Sequence, residues 1–240
     1  MTATACYRGF GALLLMTAIG SHIGSDLRAT VPAGTESAEQ SMKQFLQQGD
    51  GPRPYKATRR LEVRHGGSIG WVEAATEYSP ATGFRYTITS EGGSGSLRDK
   101  ALKPILEGER EAVAKGETSR SALAPCNYEF QVNGVDEHGL AKVLLSPKRK
   151  ERVLVSGAMF LRPVDGELVR VQGRLAKSPS FWIKSVDIVR SYERIDDAVM
   201  PVVLETTAQV RMFGTATLTM TYDYSEIDGR PVQPRQMARR

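Results

Sequence analysis

Cysteine and histidine are scarce in this chain of 240 residues, which has two cysteines and three histidines. Neither residue type occurs in a CxxC or HExxH arrangement, so the spacings typical of zinc sites and zinc hydrolases are missing. His65 and His138 each lie in a glycine-containing turn, which favours exposed side chains over metal ligands. We expect Cys126, the only cysteine after the N-terminal region, to be buried and to form no internal disulfide. The sequence predicts no metal and no cofactor.

Long apolar runs are missing after the N-terminus. Arg8 precedes the run GFGALLLMTAIG (9–20), which is typical of the apolar region of a signal peptide and too short to span a bilayer. We predict a signal peptide over 1–33, with the cleavage site left open between residues 21 and 34. The alternative is a buried N-terminal helix. The mature protein is expected to be exported and periplasmic, either soluble or peripherally associated with the envelope. Cys6 precedes the apolar run, which argues against a lipid anchor.

Catalytic patterns are also missing. The stretch Gly92–Ser96 resembles a nucleophile elbow, but Ser96 stands where the second required glycine belongs. No Lys-Ser/Thr pair follows it, as a phosphate-binding loop requires. Glu107, Glu109 and Glu111 are spaced two apart, so neighbours in this series do not share a helix face. We expect a protein that is not an enzyme, with a hydrolase as the alternative.

Positive charge is too dispersed for nucleic-acid binding. The formal net charge is +5, and Lys and Arg are scattered along the chain. The densest basic cluster comprises Lys148, Arg149, Lys150 and Arg152 at the tip of a predicted hairpin. Such a tip either protects a sheet edge from pairing or contacts an anionic membrane surface or an acidic partner. The cluster has no interleaved aromatic residues, so we expect no nucleic-acid partner.

Alternation of apolar and polar residues dominates the chain from Tyr55 onward, as is typical of β-strands. It is clearest in Val202–Met212 and Thr215–Tyr224. Because the turns between successive strands are short, we expect antiparallel pairing. Helical spacing is confined to 39–48 and 96–115.

The predicted fold class is mainly β (α+β). About 8–11 strands form a large curved antiparallel sheet, or half-open β-barrel, with one or two helices plugging its concave face. Pro104 is expected to kink or divide the second helix. The predicted organisation is a signal peptide over 1–33, a linker and short helix over 34–54, a single domain over 55–228 and a tail over 229–240.

Several stretches together resemble a group of exported bacterial proteins. They are "KPILEGERE" (103–111), "SPKRKERVLVSGAMFLRP" (146–163), "VRVQGRLAKSPSFWIKSVDIVRSYERI" (169–195) and "TLTMTYDYSEIDG" (217–229). The chain is similar over roughly 55–228 to the outer-membrane lipoprotein-sorting-protein-like family, related to the LolA and LolB carriers. The resemblance implies an unclosed antiparallel barrel with helices as a lid over a hydrophobic cavity for acyl chains. It transfers no functional residue, because no residue-level motif of the carriers is clear here.

The functional hypothesis is a carrier that binds a lipid or a lipoprotein acyl chain in an incompletely filled concavity, with outer-membrane lipoprotein sorting as the process it would serve. The alternative is an envelope interaction or sensor domain with the same fold and a filled interior, whose partners are envelope proteins. Trp182 follows a proline turn in a strand with mixed faces, so it either anchors the core or contacts a ligand at the rim. The predicted ligand-facing residues are Trp71, Phe160, Trp182, Leu204, Met212, Leu218, Met220 and Tyr222.

Overall fold

The computed structural model describes residues 33–48 and 52–233. The predicted signal peptide, apart from its last residue, therefore lies outside the described residues, as do Cys6, residues 49–51 of the predicted linker and 234–240 of the predicted tail. Within the described ranges, no helix combines the length and the apolar character that a membrane span requires.

Eleven strands form one sheet in which every neighbouring pair is antiparallel, which confirms the predicted architecture. The strands are β1 (Tyr55–His65), β2 (Ser68–Ser79), β3 (Gly83–Gly93), β4 (Tyr128–Val135), β5 (Ala141–Pro147), β6 (Val155–Leu161), β7 (Leu168–Leu175), β8 (Ile183–Ile195), β9 (Ala198–Val210), β10 (Gly214–Ile227) and β11 (Arg230–Pro231). Their order is β3-β2-β1-β10-β9-β8-β7-β6-β5-β4, with β11 paired to β10. The sheet is open, with β3 and β4 at its edges.

Two helical regions connect to this sheet. Helix α1 spans Ala33–Gln47 and begins before the predicted 39–48. The second region runs from edge strand β3 toward edge strand β4 and contains α2 (Gly95–Leu97), a π-helical turn (Arg98–Leu102) and α3 (Lys103–Ala114). Pro104 lies in the first turn of α3, directly after the π-helical turn. The helical region is therefore divided next to Pro104, as expected.

On one face of the sheet, which we call the inner face, a row of paired residues across eight strands is apolar with a single exception. The residues that pair laterally across it, in order, are Leu61, Met220, Leu204, Arg190, Val171, Met159, Val143 and Val132. Because side chains alternate along each strand, this row fixes which residues share the inner face and which lie on the outer face. Arg190 of β8 is the only charged residue in the row.

Both helical regions pack on the inner face, at opposite sides of the sheet. Ala38 and Met42 of α1 lie in a core cluster with residues of β4–β7. Leu102 and Leu106, in and after the π-helical turn, pack against β1, β2 and β3. Each buried leucine side chain of this kind contributes about 1.5–3 kcal/mol of hydrophobic stabilisation. The helices are therefore fixed over the two flanks of the sheet.

Some sequence-based boundaries and burial expectations are wrong. The basic cluster predicted at a hairpin tip lies in a longer loop, 148–154, and β6 begins only at Val155. The strand predicted to end at Met212 ends at Val210. Met212 lies in the β9–β10 turn with φ 63°, a left-handed conformation that interrupts the alternation. Cys126, expected to be buried, is exposed because it lies in the turn before β4.

Candidate functional site

The middle of the inner face lies between the two helix-covered flanks. Helix α1 packs on β4–β6, whereas α3 and the turn before it pack on β1–β3. Between them, inner-face residues of β8, β9 and β10 form a strip of small or partly exposed side chains that we call the trough. Its residues are Val186, Ile188, Thr206, Ala208, Val210, Ala216 and Leu218. All but Val186 are partly exposed.

The flanks of the trough are filled. Leu102 and Leu106 are fully buried beneath the second helical region, and Met159 and Leu161 are fully buried on the α1 side. The sequence suggested an unfilled concavity beneath the helix at 96–115. The structure fills that space with leucine side chains and leaves the apolar surface open between the helices instead.

The two ends of the trough differ in polarity. Along β8, Trp182 precedes the strand at one end and Arg190 lies eight residues further on, a span of about 26 Å at ~3.3 Å per residue. The Nε atom of Arg190 is buried without a hydrogen-bond partner. Interactions with Tyr192 and Tyr222 hold the pKa of Arg190 above its ordinary value, although burial lowers it. The end of the trough opposite Trp182 is therefore formed by the charged guanidinium group of Arg190.

A second arginine lies beyond Arg190 on the inner face. Arg59 of β1 is 3% exposed, and its Nη1 and Nη2 donate to Glu109 Oε2 and Oε1 at 2.6 and 3.0 Å. It also donates to the Tyr55 hydroxyl and lies 4.7 Å from the Tyr222 ring centroid. Burial lowers the pKa of Arg59, but the hydrogen bonds to Glu109 and the electrostatic interactions with Tyr222, Glu109 and Tyr55 together raise it above its ordinary value. Glu109 thereby joins α3 to the sheet through a bidentate pair.

Tyrosines complete this polar end. Burial is the main cause that raises the pKa of Tyr55 and of Tyr224, so both hydroxyls stay neutral well above pH 10. The Tyr224 hydroxyl donates to Pro201 O at 2.8 Å. Arg59, Arg190 and Glu109 together carry a formal charge of 2 − 1 = +1. This end of the inner face can therefore accommodate an anionic group beside neutral hydroxyls.

The predicted ligand-facing residues fall in three places. Four lie on the inner face in or beside the trough: Leu204, Leu218, Met220 and Tyr222. Trp71 and Phe160 lie on the outer face. The Arg60 guanidinium lies 4.4 Å from the Trp71 ring centroid, and the Arg170 guanidinium lies 4.2 Å from the Phe160 ring centroid. Trp182 and Met212 lie at the rim. An inward orientation is therefore wrong for Trp71 and Phe160, whose rings on the outer face are covered by long arginine side chains, and for Met212, which lies in an exposed turn.

Four large apolar side chains are exposed together at one end of the sheet. Phe181, Trp182, Met212 and Phe213 are 73%, 56%, 92% and 63% exposed. Arg211 N donates to Trp182 O at 2.8 Å, which joins the β7–β8 loop to the β9–β10 turn. The β1–β2 turn reaches the same place, since His65 Nε2 lies 2.9 Å from Phe213 O. We call residues 65–70, 176–184 and 209–215 the aromatic end.

The predicted basic cluster lies beside this aromatic end. Ala176 N donates to Leu154 O at 2.8 Å, so the loop 148–154 is adjacent to the β7–β8 loop. Arg149 is engaged with Glu151 Oε1 and Asn127 Oδ1, both at 2.6 Å, and holds the loop in place. The exposed charges of the cluster are those of Lys148, Lys150 and Arg152.

Two further depressions open elsewhere on the surface. One, of about 740 Å³, is lined mainly by outer-face residues of β5–β8 and includes Gly157 and Gly173, which pair across β6 and β7. The other, of about 480 Å³, lies beside α3 and β3 around Tyr86 and Glu107. Neither coincides with the trough. Within the described ranges, no three His, Cys, Asp or Glu side chains are grouped as a metal site requires.

Sequence reasoning missed the Arg59–Glu109 pair and the inward placement of Arg190. A usable signal was present, because Arg59 stands at an apolar position of its strand alternation, between Ala57 and Leu61. A charged residue on the buried face of a strand requires a partner. The sequence did not identify Glu109 as the partner of Arg59, because Glu109 lies in a helix 50 residues away in sequence.

No protein-family model matches this chain, and none of the curated proteins matches it in sequence. Solved structures similar to it include a DUF1329 family protein from Desulfovibrio piger (9% identity, 80% of this chain and 91% of that chain, TM-score 0.36). A LolA superfamily protein from Nitrosomonas europaea is similar at 10% identity over 85% of this chain and 97% of that chain, with a TM-score of 0.36. MucB in complex with MucA gives 9% identity, 84% and 98% coverage and a TM-score of 0.20. Likeness of this degree carries no argument about ligand or mechanism.

Proposed function

We propose that this protein is an exported, non-catalytic binder of single acyl chains, which lie in the trough with their polar end toward Arg190. The observation that carries the proposal is the strip of partly exposed apolar residues between two filled flanks. Apolar surface of this kind gains free energy when a hydrocarbon chain displaces water from it.

The dimensions of the trough fit one acyl chain. The distance from Trp182 at the rim, along β8 past the trough, to Arg190 is about 26 Å, which exceeds the depth of one leaflet, about half of the ~30 Å hydrocarbon core of a bilayer. Ala208 and Ala216 provide small side chains at its floor, beside Val186, so a chain can approach the sheet closely. The ligand lies in an open trough, not in an enclosed cavity.

Arg190 gives the trough a preferred chain orientation. A carboxylate or phosphate there would lie near a guanidinium whose buried Nε has no hydrogen-bond partner and near the neutral hydroxyls of Tyr55 and Tyr224. Charge-assisted hydrogen bonds of this kind contribute roughly 1.5–3 kcal/mol. A fatty acid is therefore expected to bind about 10-fold or more tightly than the alcohol of equal chain length.

Displacement of a fluorescent fatty acid tests the proposal. Ala208→Phe fills the trough and is expected to weaken binding at least 10-fold, whereas Thr207→Phe, the adjacent outer-face residue, is expected to leave it unchanged. Arg190→Gln is expected to remove the preference for the acid over the alcohol. Equal loss in both Phe variants, or no saturable binding by a folded wild-type chain, contradicts the proposal.

The alternative is an interaction domain that binds an envelope protein and no lipid. The filled flanks and the exposed side chains of the aromatic end favour this reading. The two functions differ in the titration with the fluorescent fatty acid. Saturable binding that a second acyl chain competes away supports the first function, whereas no saturable binding, together with binding of an envelope protein at the aromatic end, supports the second.

A further inference from the structure

We propose that the aromatic end is a docking surface for an anionic lipid bilayer, into which Phe181, Trp182, Met212 and Phe213 insert. This surface adjoins the trough at Val210, but the proposal does not depend on acyl-chain binding in the trough.

Exposed apolar side chains are clustered at the aromatic end. The four side chains are each more than half exposed, and they come from two loops joined by the Arg211–Trp182 backbone hydrogen bond. The rings of Phe181 and Trp182 lie edge to face at 5.5 Å, so they form one surface. Indole and phenyl rings at the tip of a soluble domain are suited to the headgroup region, where their apolar bodies are buried and the indole N–H stays hydrated.

Charge identifies the partner surface. Residues 65–70, 176–184 and 209–215 contain Lys177, Lys184 and Arg211 and no Asp or Glu, a formal charge of +3. The adjacent loop 148–154 adds four cations and one carboxylate, a further 4 − 1 = +3. Its carboxylate, Glu151, is already paired with Arg120 and Arg149. Apolar side chains surrounded by cations complement a surface that is apolar below and anionic above, which is an anionic bilayer.

The loop geometry presents these side chains outward. Met212 has φ 63° and is the most exposed of the large apolar residues described. The Arg211 guanidinium stacks over the Phe181 ring at 5.0 Å, so a cation and an exposed aromatic ring lie side by side on this surface. The β7–β8 loop is further held by Ser178, whose hydroxyl donates to Ile183 O. The insertion surface is therefore organised before it meets lipid.

The two tryptophans allow a site-specific test in the full chain. Trp182 lies at the aromatic end, whereas Trp71 lies on the outer face against Arg60. With phosphatidylglycerol vesicles, emission of the wild-type chain is expected to shift to shorter wavelength and to be quenched by brominated acyl chains. In Trp182→Phe both changes are expected to disappear, so they report Trp182 and not apolar segments elsewhere in the chain. Trp71→Phe, if folded, should retain them.

Charge and position supply the controls. Lys184→Glu with Arg211→Glu is expected to weaken vesicle binding at least 10-fold, and phosphatidylcholine vesicles are expected to bind as weakly. Val164→Ser removes an 82% exposed apolar side chain at the opposite end of the sheet and should change nothing. An unshifted Trp182 emission with phosphatidylglycerol overturns the proposal. So does a blue shift without vesicles that grows with protein concentration, because it assigns the surface to a second copy of the chain.

Discussion

The two ends of the sheet carry opposite surfaces. The aromatic end has a formal charge of +3 and four exposed large apolar side chains. The opposite end, which we call the ion-pair end, comprises residues 162–167, 194–198 and 228–230 and has three cations and five carboxylates, a formal charge of −2. There Arg162 and Arg194 both contact Glu167, and Arg53 pairs with Asp228 at 2.6 Å. Most charges of the ion-pair end are paired within the chain, whereas the aromatic end exposes cations beside large apolar side chains.

Because the two ends differ, we expect the ion-pair end to contribute to stability and the aromatic end to contribute to binding. Helix α1 is joined to the ion-pair end, where Ser41 Oγ donates to Pro163 O at 3.2 Å. Glu167 is 2% exposed in the same loop. Substitutions at this end are expected to change the free energy of unfolding. Substitutions at the aromatic end are expected to change binding and to leave that free energy almost unchanged.

Salt should produce the largest effect, and only at the aromatic end. Each cation near an anionic bilayer contributes about 1 kcal/mol, so Lys177, Lys184 and Arg211 together contribute about 3 kcal/mol. Raising the ionic strength from ~0.1 M to ~1 M shortens the screening length from ~10 Å to ~3 Å and should remove most of this contribution. Vesicle sedimentation at the two salt concentrations measures it. Binding to phosphatidylglycerol that does not weaken with salt contradicts the electrostatic part of the proposal.

Glu167→Ala should have the next largest effect, at the ion-pair end. It leaves Arg162 and Arg194 facing each other without their shared carboxylate, and we expect a loss of roughly 2 kcal/mol because both arginines are partly exposed. Denaturant unfolding measures this loss. Asp197→Asn is the matched control, since Asp197 is almost fully exposed and should change stability by less than about 0.5 kcal/mol. Equal effects in the two variants would remove the distinction.

Alkaline pH should destabilise the inner face and not the aromatic end, whose three segments contain no tyrosine. The pKa values of Tyr55 and Tyr224 are raised in the folded state, so unfolded tyrosines release protons first. The contribution of these two tyrosines to the free energy of unfolding is therefore fully present below about pH 10. Above that pH it falls by about 1.4 kcal/mol per pH unit for each tyrosine. Unfolding at pH 9 to 11 checks this, and Tyr224→Phe should show a shallower decline. An unchanged slope in that variant contradicts the assignment.

The smallest effect is expected from Met212→Ser or Phe213→Ser. Because both side chains are exposed, the free energy of unfolding should change by less than about 0.5 kcal/mol. Thermal unfolding measures it, with vesicle binding as the paired readout. A loss above 1 kcal/mol would mean that these residues are structural, and the comparison between the two ends would fail.

The antiparallel sheet was predictable because alternation over β9 and β10 is a local property of the sequence. Leu204, Leu218, Met220 and Tyr222 were correctly assigned to the inner face for the same reason. Met212 was assigned wrongly, since its turn breaks the alternation through a backbone conformation that composition does not indicate. Trp71 and Phe160 were also assigned to the wrong face. Their rings are covered on the outer face by arginine side chains from neighbouring strands, and a single sequence does not specify which strands are neighbours.

Methyl NMR of alanine-labelled full-length protein tests the binding trough most directly. On titration with a fatty acid below its micelle concentration, the methyl resonances of Ala208 and Ala216 should shift saturably, because these residues form the trough floor. Those of Ala141 and Ala158, which are buried in the flank near α1 and on the outer face, should not. Shifts confined to Ala141 and Ala158, or no saturable shift at Ala208 and Ala216, would contradict an acyl chain lying between the helices.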